Sequence, residues 1–414
     1  MKRIYVVILL LLSNSFLLFA QRDSLKLSQE REYAFVIMDS PASLFTMRQF
    51  SESSLSLYRL SVKELNKVVP KPWNMSVQAL ISGLFYTPLT HEEGHRSILT
   101  YENIGSISKP YPNKHLAMYV KGVKDEDLIS LRDNKLPTYI RLHTAGLESD
   151  YALLVREASL INFQQEDFDV LWVEYFMRKF SLVSYYASGL FKMDVGLKEE
   201  RNELKRDIVG HDIYGAVRHL HRPNMEFYRY TEYKDLTKEE RRFVKRIGWR
   251  SLLNVLDPLL IGKTGFSIQK DKYRINAAMG YGMAPFGDYI DEHLWLLTKS
   301  LNGHFYLRQF QNKDTWFPAF GVDFTRIKVI ENLSFDAALH GWSQPKGQEF
   351  RETSGRLGGA VDLTAKYRFW SRGGTGMKGL SVNLGVLAKT QGFLVEEMNL
   401  GGHVGCRLGI SIWL

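Results

Sequence analysis

Two histidines and a glutamate near residue 90 have the residue types and the spacing of a metal site. The segment from His91 to His95 reads His-Glu-Glu-Gly-His, so the histidines are four positions apart and Glu92 directly follows the first. On an α-helix, positions four apart lie one turn above each other, and both imidazoles can reach a single metal ion. The glutamate can then take a proton from a metal-bound water. This pattern predicts a zinc site for hydrolytic chemistry.

The residues around this segment predict a helix that carries both histidines. Thr87 is a suitable N-cap and Pro88 suits the first helical position, so the helix is expected to begin there and to end near Asn103–Gly105. A second interpretation needs no metal. Thr90 and Glu93 also form a capping box, and the histidines are then surface residues near the start of a helix.

A catalytic zinc of this kind needs a third protein ligand and one open position. The leading candidate is Glu148, in a predicted amphipathic helix that includes Pro137–Val155. Its neighbours Ala145 and Gly146 are small and would allow a second helix to approach closely. The same carboxylate is equally well explained as the ion-pair partner of a nearby arginine such as Arg141.

Asp207 and His211 are the alternative third ligands. They lie one helical turn apart in a segment, Glu199–Leu220, that is also predicted to be helical. Gly210 and Gly215 next to them leave room for another element. Structural polar networks contain similar clusters, so these two residues are the weaker candidates.

The fragment His91–His95 resembles the active-site helix of the zincin metallopeptidases. The resemblance implies that His91 and His95 bind Zn2+ and that Glu92 is the general base. In gluzincin-type peptidases a glutamate from a second helix completes the site, and helix order gives this role to Glu148. The longer histidine spacing of the metzincins does not occur in the sequence. The implied substrate is a peptide or a protein.

Composition and charge limit the classes of protein that remain. A chain of 414 residues suggests two domains, and 45% hydrophobic with 24% charged residues is typical of folded proteins. Cys406 is the only cysteine, which excludes an internal disulfide and a cysteine-rich zinc site, so a metal would need histidine and carboxylate ligands. The net charge of +9 comes from basic residues scattered among acidic ones, which argues against nucleic acid as a partner.

The N-terminus has the features of a targeting segment. Lys2 and Arg3 precede an apolar run, Ile4–Leu12, and the small residue Ala20 marks a cleavage point. This order predicts a secretory signal peptide over residues 1–20 and hence an exported protein. An uncleaved membrane anchor is the alternative, although the apolar run is short for a bilayer span.

Residues 21–261 have the apolar spacing of helices and are predicted to form a helical domain that carries the metal motif. Besides the helices above, Asp169–Met193 is expected to be helical. Glu174, Arg178 and Lys179 lie in its middle, and each would carry a desolvation cost in lipid. This helix is therefore not expected to face a membrane.

From Tyr273 to the C-terminus the apolar period changes from about 3.6 to about 2, which is typical of strands with one apolar and one polar face. Residues 262–414 are therefore predicted to form an antiparallel β-domain. The predicted strands are 273–283, 289–299, 304–311, 316–329, 332–340, 361–369, 380–388 and 404–414.

The connections between these strands are short on one side and long on the other, where Ser343–Gly355 and Thr390–Asn399 lie. Together with a strand that runs to the last residue, this arrangement resembles a small bacterial outer-membrane β-barrel. The resemblance implies contact with outer-membrane lipid, and an even number of strands places the helical domain in the periplasm. A soluble sandwich or calyx is the alternative.

The sequence thus predicts an α+β protein, in which a mostly helical N-terminal domain is followed by an antiparallel β-barrel of about eight strands. The expected function is that of a zinc-dependent metallopeptidase of the bacterial cell envelope. One alternative is a non-enzymatic outer-membrane protein whose helical domain binds a partner. A weaker alternative is a carrier of hydrophobic ligands with a soluble calyx.

Overall fold

The computed structural model describes residues 30–40, 45–71, 73–109, 118–194, 196, 200–268, 272–373 and 376–414, and it shows a mixed α+β protein. The α-helices of these residues are α1 (Met47–Val68), α2 (Trp73–Ile81), α3 (Thr87–Tyr101), α4 (Asp125–Asn134), α5 (Leu136–Asn162), α6 (Phe168–Ala187), α7 (Asp212–His221) and α8 (Lys238–Ser251). The strands are β1 (Glu32–Ser40), β2 (Ile107–Lys109), β3 (Tyr119–Lys121), β4 (Phe266–Ile268), β5 (Tyr273–Ala284), β6 (Gly287–Thr298), β7 (Asn302–Gln311), β8 (Trp316–Ile330), β9 (Leu333–Pro345), β10 (Gly355–Ser371), β11 (Gly379–Lys389) and β12 (His403–Trp413).

Ten strands form one antiparallel sheet in the order β1-β12-β11-β10-β9-β8-β7-β6-β5-β4, and β2 and β3 form a separate hairpin. Strands β5 to β12 correspond to the eight predicted strands, so the antiparallel β-structure of the C-terminal part is confirmed. From β4 to β12, each strand pairs with the next one along the chain. Their alternating side chains give the sheet two faces of different polarity.

The sequence does not predict β1, which lies in the segment assigned to helices. It pairs antiparallel with β12, with Glu32 opposite Trp413 and Phe35 opposite Ile410. Its apolar residues form a run and do not alternate with polar ones. Because the partner strand lies at the other end of the chain, the local pattern of apolar residues cannot predict this pairing.

Within the described ranges the sheet is open, and α1 covers the free edge of β1. The backbone N–H of Val36 donates to the hydroxyl of Ser53 (3.1 Å), and the hydroxyl of Ser56 donates to the carbonyl of Ala34 (2.7 Å). A further strand would need these backbone groups for pairing. In the described residues the sheet ends at β1 on one side and at β4 on the other, so the predicted closure into a barrel is not confirmed.

The sheet is strongly curled. The carboxylate of Glu32 in β1 lies 3.6 Å from the guanidinium of Arg326 in β8 and 2.9 Å from the ammonium of Lys366 in β10. Strands β1 and β8 are five places apart, which is about 24 Å in a flat sheet at ~4.8 Å per strand. Two side chains cannot span that distance, so the sheet bends around a concave face.

The corner between α5 and α6 bridges the two ends of the sheet. Glu166 in this corner is ion-paired with Arg31 beside β1 (2.9 Å). At the end of α5, the amide of Asn162 accepts a hydrogen bond from Asn276 of β5 (2.8 Å). The helices therefore lie across the opening that the sheet leaves.

The two faces of the sheet differ in polarity. On β10, Val361, Leu363 and Tyr367 point outward and are about half exposed. Asp362 and Lys366 lie between them, face inward and are ion-paired. Along β10 the convex side is therefore apolar and exposed, and the concave side is polar.

Two predicted helices are shorter than expected: the helix predicted over Asp169–Met193 ends at Ala187, and the second is the one over 199–220. Of the segment 199–220, the part from 200 to 211 contains only a short 3-10 turn, and α7 begins at Asp212. The polar residues before α7 bind other elements. For example, the carboxylate of Glu203 accepts a hydrogen bond from the backbone N–H of Asp125 at the start of α4 (2.8 Å).

The predicted signal peptide, residues 1–20, lies outside the described residues, so export stays a prediction. Within the described part of the chain, no helix combines the length and the hydropathy that crossing a membrane requires.

Candidate metal centre

The α-helix that carries the two histidines begins at Thr87, as predicted, but it directly continues an earlier helix. Helix α2 continues through a π-helical turn, Ser82–Tyr86, directly into α3. Tyr86 has helical backbone angles (φ −69°, ψ −51°), and the N–H of Thr87 donates to the carbonyl of Ser82. The predicted position of the start is therefore confirmed, whereas the predicted role of Thr87 as an N-cap is wrong. Pro88 has no N–H and cannot continue a regular hydrogen-bond ladder, and the wide turn lies directly before it.

The interpretation of Thr90 as a helix cap is not supported either. Its hydroxyl donates to the carbonyls of Tyr86 (3.0 Å) and Thr87 (3.1 Å), as it would inside a helix. Thr90 is completely buried and His95 is only 2% exposed. The histidines are therefore not surface residues at a helix start.

Asp212, the first residue of α7, completes a cluster with the two histidines. Its Oδ2 lies 3.1 Å from Nε2 of His91 and 3.4 Å from Nε2 of His95. The three ligand atoms all lie within 4.8 Å of one another. In a tetrahedral zinc site with bonds of ~2.1 Å, neighbouring ligand atoms are about 3.4 Å apart. The two distances to Asp212 are close to this value, so the three residues could hold a metal ion.

Hydrogen bonds at Nδ1 orient both imidazoles toward Asp212. Nδ1 of His95 lies 2.7 Å from the carbonyl oxygen of Leu142, which can only accept, so this nitrogen carries a proton. Nδ1 of His91 lies 2.8 Å from the carboxylate of Asp150. Each Nε2 is thereby directed at Asp212, which is the ring orientation that carboxylate-histidine-zinc triads also have.

Asp150 is itself held in place by Arg178 of α6. Nη1 of Arg178 donates to Asp150 (2.5 Å) and to the hydroxyl of Thr90 on α3 (2.8 Å). The same guanidinium is ion-paired with Glu174 (2.5 Å), and all four residues are buried. Three helices therefore meet at the group that orients the first histidine.

Two glycines allow α3 and α5 to approach each other closely. A Cβ at Gly94 would lie 2.5 Å from the carbonyl oxygen of Ala145, and a Cβ at Gly146 would lie 2.4 Å from Nε2 of His91. Both distances are too short for a real contact. The expectation that small residues at 145 and 146 admit a second helix is confirmed, and that helix is α3.

Glu148, the leading third ligand in the sequence analysis, does not join the cluster. Its carboxylate accepts two hydrogen bonds from Arg141 (2.9 and 2.6 Å) and one from the backbone N–H of Glu396 (2.8 Å). Gly146 and Asp150 lie one turn apart on the side of α5 that faces α3. Glu148, halfway between them in sequence, points to the other side. Its interpretation as an ion-paired carboxylate is the one that the structure supports.

The third donor comes from the segment that the sequence analysis ranked second, but from a different residue. Asp212 follows His211, which has extended backbone angles (φ −147°, ψ 112°) and precedes the helix. The N–H of Asp212 donates to the hydroxyl of Tyr185 (3.2 Å). Gly210 before a helix and an aspartate in its first turn are the sequence signals that could have indicated Asp212.

Asp207 and His211 lie near the cluster without belonging to it. Nε2 of His211 lies 3.2 Å from the hydroxyl of Ser188, and its ring stacks on Tyr214 with 3.7 Å between centroids. Burial lowers the pKa of His211 to about 4. Burial and then the charge of Glu92 raise the pKa of Asp207 well above its usual value. The carboxyl of Asp207 is therefore close to the site, although it is not one of the three converging donors.

The charges of the cluster favour a cation between the three donors. Burial lowers the pKa of His91, but Asp150 and Asp212 outweigh burial, and this pKa lies well above its usual value. Burial raises the pKa of Asp212, but His95 and His91 outweigh it, and this pKa lies well below its usual value. Asp212 is thus a carboxylate at neutral pH, and a divalent cation would compete with the proton on His91.

Glu92 is partly exposed beside the cluster. Burial raises the pKa of Glu92 to about 8, while His91 lowers it and Asp212 and Asp150 raise it further. A carboxyl group with a pKa near neutrality can both accept and release a proton. A divalent cation close by would lower this pKa and favour the basic form.

Comparison with family models, with curated proteins and with solved structures finds no match to this chain. The geometry of the site is therefore the basis for assigning a function.

Proposed function

We propose that this protein is a zinc-dependent hydrolase that cleaves peptide bonds. The main support is the convergence of His91, His95 and Asp212, with Glu92 beside them and an orienting partner behind each imidazole. Two histidines and a carboxylate form a ligand set of catalytic zinc sites, which keep the fourth position for water or substrate. This set agrees with the zincin resemblance of the motif, with an aspartate from α7 as the third ligand.

Each residue of the site has a defined role in this proposal. His91, His95 and Asp212 bind Zn2+, which when bound lowers the pKa of a coordinated water and polarises a carbonyl group. Glu92 accepts the proton of that water and delivers it to the leaving amine. Asp150 is a positioning residue that fixes the ring of His91.

Metal content tests the ligand set. Full-length protein is purified, dialysed against zinc-free buffer and compared with His91→Ala, Asp212→Asn and Asp207→Asn by inductively coupled plasma mass spectrometry. We expect near-stoichiometric zinc in the wild type and in Asp207→Asn, which is the matched control beside the site. We expect loss of zinc in the other two variants. Equal zinc in Asp212→Asn and the wild type would rule out this ligand set.

Peptide hydrolysis tests the role of Glu92. In Glu92→Gln, zinc is retained, but cleavage of a peptide library falls by a factor on the order of 10² to 10⁴, the usual contribution of a general base. Mass spectrometry of the products gives both the rate and the cleavage preference. If zinc-loaded wild type cleaves nothing, or Glu92→Gln cleaves equally well, the alternative of a non-enzymatic protein whose helical part binds a partner is favoured.

The second part of the proposal concerns location: the convex face of the sheet contacts outer-membrane lipid. Leu384 and Val386 on β11 are exposed on this face, as are the apolar residues of β10. A one-sided sheet in water places its apolar face inside and its polar face outside. On β10 and β11 the apolar side chains face outward instead. The ion pairs on the inward side of β10 also argue against a soluble calyx for hydrophobic ligands. Export through a signal peptide and a periplasmic position of the helical part remain sequence-based predictions.

A further inference from the structure

Helix α6 has its charged side chains inside and its aromatic side chains outside. Glu174 and Arg178 are completely buried, whereas Phe180 is 45% exposed. Trp172, Phe176 and Phe180 are four positions apart and form one stripe along the outward side. The ring centroids of Trp172 and Phe176 are 5.5 Å apart. A helix at the surface of a water-soluble protein has the opposite arrangement.

This arrangement corrects one argument from the sequence. The expectation that α6 avoids lipid assumes that Glu174, Arg178 and Lys179 face outward. In the structure Lys179 is ion-paired with Asp257, and Arg178 is ion-paired with Glu174 and Asp150. These charges are compensated inside the protein, so the desolvation cost that they would have in lipid does not arise.

Helix α2 and the π-helical turn after it also have polar side chains inside and apolar side chains outside. Asn74, Gln78 and Ser82 are four positions apart and buried. The amides of Asn74 and Gln78 donate to Asn66 of α1 (3.0 and 3.2 Å). The opposite side is apolar and exposed, and it consists of Trp73, Leu80, Ile81, Leu84 and Phe85.

The outward apolar faces of α6 and of α2 with the π-helical turn lie next to each other. A Cβ at Gly83 in the π-helical turn would lie 3.0 Å from the side chain of Met177 on α6. On the other flank of α6, the indole N–H of Trp172 donates to the carbonyl of Leu259 (3.0 Å). Ile261, two residues further, is also exposed. The outward faces therefore form one continuous apolar surface.

This surface continues into the convex face of the sheet. Ile261 leads to β4, where Phe266 and Ile268 are exposed at the edge of the sheet. Because the corner between α5 and α6 bridges the two ends of the sheet, α2 and α6 lie where the sheet is interrupted. The apolar exterior thus extends over the sheet and across its opening.

We infer that the outward faces of α2, the π-helical turn and α6 contact lipid acyl chains in the same bilayer as the convex face of the sheet. A protein partner of ordinary size covers about 800 Å² of one surface, whereas this exterior extends over both helices and strands. The charged groups Glu174, Arg178 and Lys179 behind it are ion-paired inside the protein, as a hydrocarbon environment requires. The inference rests on the proposed lipid contact of the sheet, and it places part of the helical region within the bilayer.

Fluorophores at single cysteines test this inference. Cys406 is the only cysteine and is exposed on the outer side of β12, so the labelled wild type reports on the sheet. In a Cys406→Ser background, Leu84→Cys and Phe180→Cys report on the helices. Ser130→Cys, at an exposed polar position of α4, is the matched control. The full-length proteins are reconstituted in phosphatidylcholine vesicles that contain lipids with a nitroxide on the acyl chain.

We expect the labels at positions 84 and 180 to be quenched as strongly as the label at Cys406, and several-fold more strongly than the label at position 130. If only Cys406 is quenched, the helical faces do not contact lipid and this inference fails, while the placement of the sheet stands. If no label is quenched, both fail. If all four are quenched equally, the contact is not specific to the apolar faces and the inference fails. Zinc content of the same variants is a separate measurement that reports on the metal centre and on correct folding.

Discussion

Two of the buried carboxylates of helix α5 contact different parts of the molecule. Asp150 faces α3 and orients the imidazole of His91. Glu148 faces the loop between β11 and β12, where it pairs with Arg141 and accepts the backbone N–H of Glu396. Two positions apart on a helix correspond to a rotation of about 200°. The comparison shows that the face of the helix decides whether a carboxylate lies beside the candidate metal centre, since both have the same chemistry and are buried to a similar degree.

The largest effect, a loss of fold stability, is expected from removing Arg141, the ion-pair partner of Glu148. Arg141→Met leaves a buried carboxylate without its cation, which destabilises a protein by about 3 to 5 kcal/mol. Denaturation followed by tryptophan fluorescence measures the change in the free energy of unfolding. The double variant Arg141→Met/Glu148→Leu should recover much of the loss. A single variant as stable as the wild type would show that this pair does not hold the β11–β12 loop.

A pair of glycine variants separates packing from metal binding at the contact between α3 and α5. Gly146→Ala places a Cβ against the ring of His91, so we expect zinc binding to be lost. Gly94→Ala places a Cβ against the backbone of Ala145, so we expect the helices to move apart, at about 1 to 3 kcal/mol of stability. Zinc content and thermal unfolding of both variants provide the test. Identical behaviour of the two would contradict the geometry of this contact.

Asp150→Asn tests the metal side of the comparison directly. Loss of an orienting carboxylate typically lowers metal affinity by a factor of about 10 to 100. Glu148→Gln is the matched control on the same helix, and its zinc affinity should equal that of the wild type. Competition with a fluorescent chelator gives both affinities. A similar loss in both variants would mean that α5 acts only through global stability.

A change of one pH unit is expected to give the smallest effect on zinc affinity. The proton on His91 must leave before zinc binds, so the apparent zinc affinity rises with pH and falls about tenfold per unit below the raised pKa of this residue. In the zinc-free protein, the stability of the fold changes with pH in the opposite direction. The pairing of His91 with Asp150 and Asp212 stabilises the fold at low pH, and that stability is lost as pH rises through the raised pKa. Chelator competition between about pH 6 and 8 tests the first statement, and Asp150→Asn should shift the rise to lower pH.

The strands of the sheet were predictable from the sequence, whereas much of the site was not. Strands β5 to β12 alternate apolar and polar residues, because each has one face toward the helices and one toward the exterior. The histidines His91 and His95 were recognisable because both ligands lie on one helix. Asp212 depends on where α7 begins and on which helix faces α3, and neither fact is encoded in local spacing. The same limitation applies to β1, whose partner is at the other end of the chain.

The polarity of α6 shows a different limit of sequence patterns. The spacing of its apolar residues correctly predicts a helix, but the pattern does not state which face is inside. Glu174 and Arg178 are buried because they belong to the network that holds Asp150. Only the long-range partners of these charges determine the orientation of the helix.

The π-helical turn Ser82–Tyr86 determines the directions in which the residues before and after it point. Each residue of an α-helix turns the chain by about 100°, and a π turn holds one residue more than a regular turn. The exposed apolar stripe of α2 and the inward-facing His91 of α3 belong to one uninterrupted helical stretch, and the extra residue sets the angle between them. Removal of any one residue from this turn would rotate the histidine away from Asp212 without altering a single ligand.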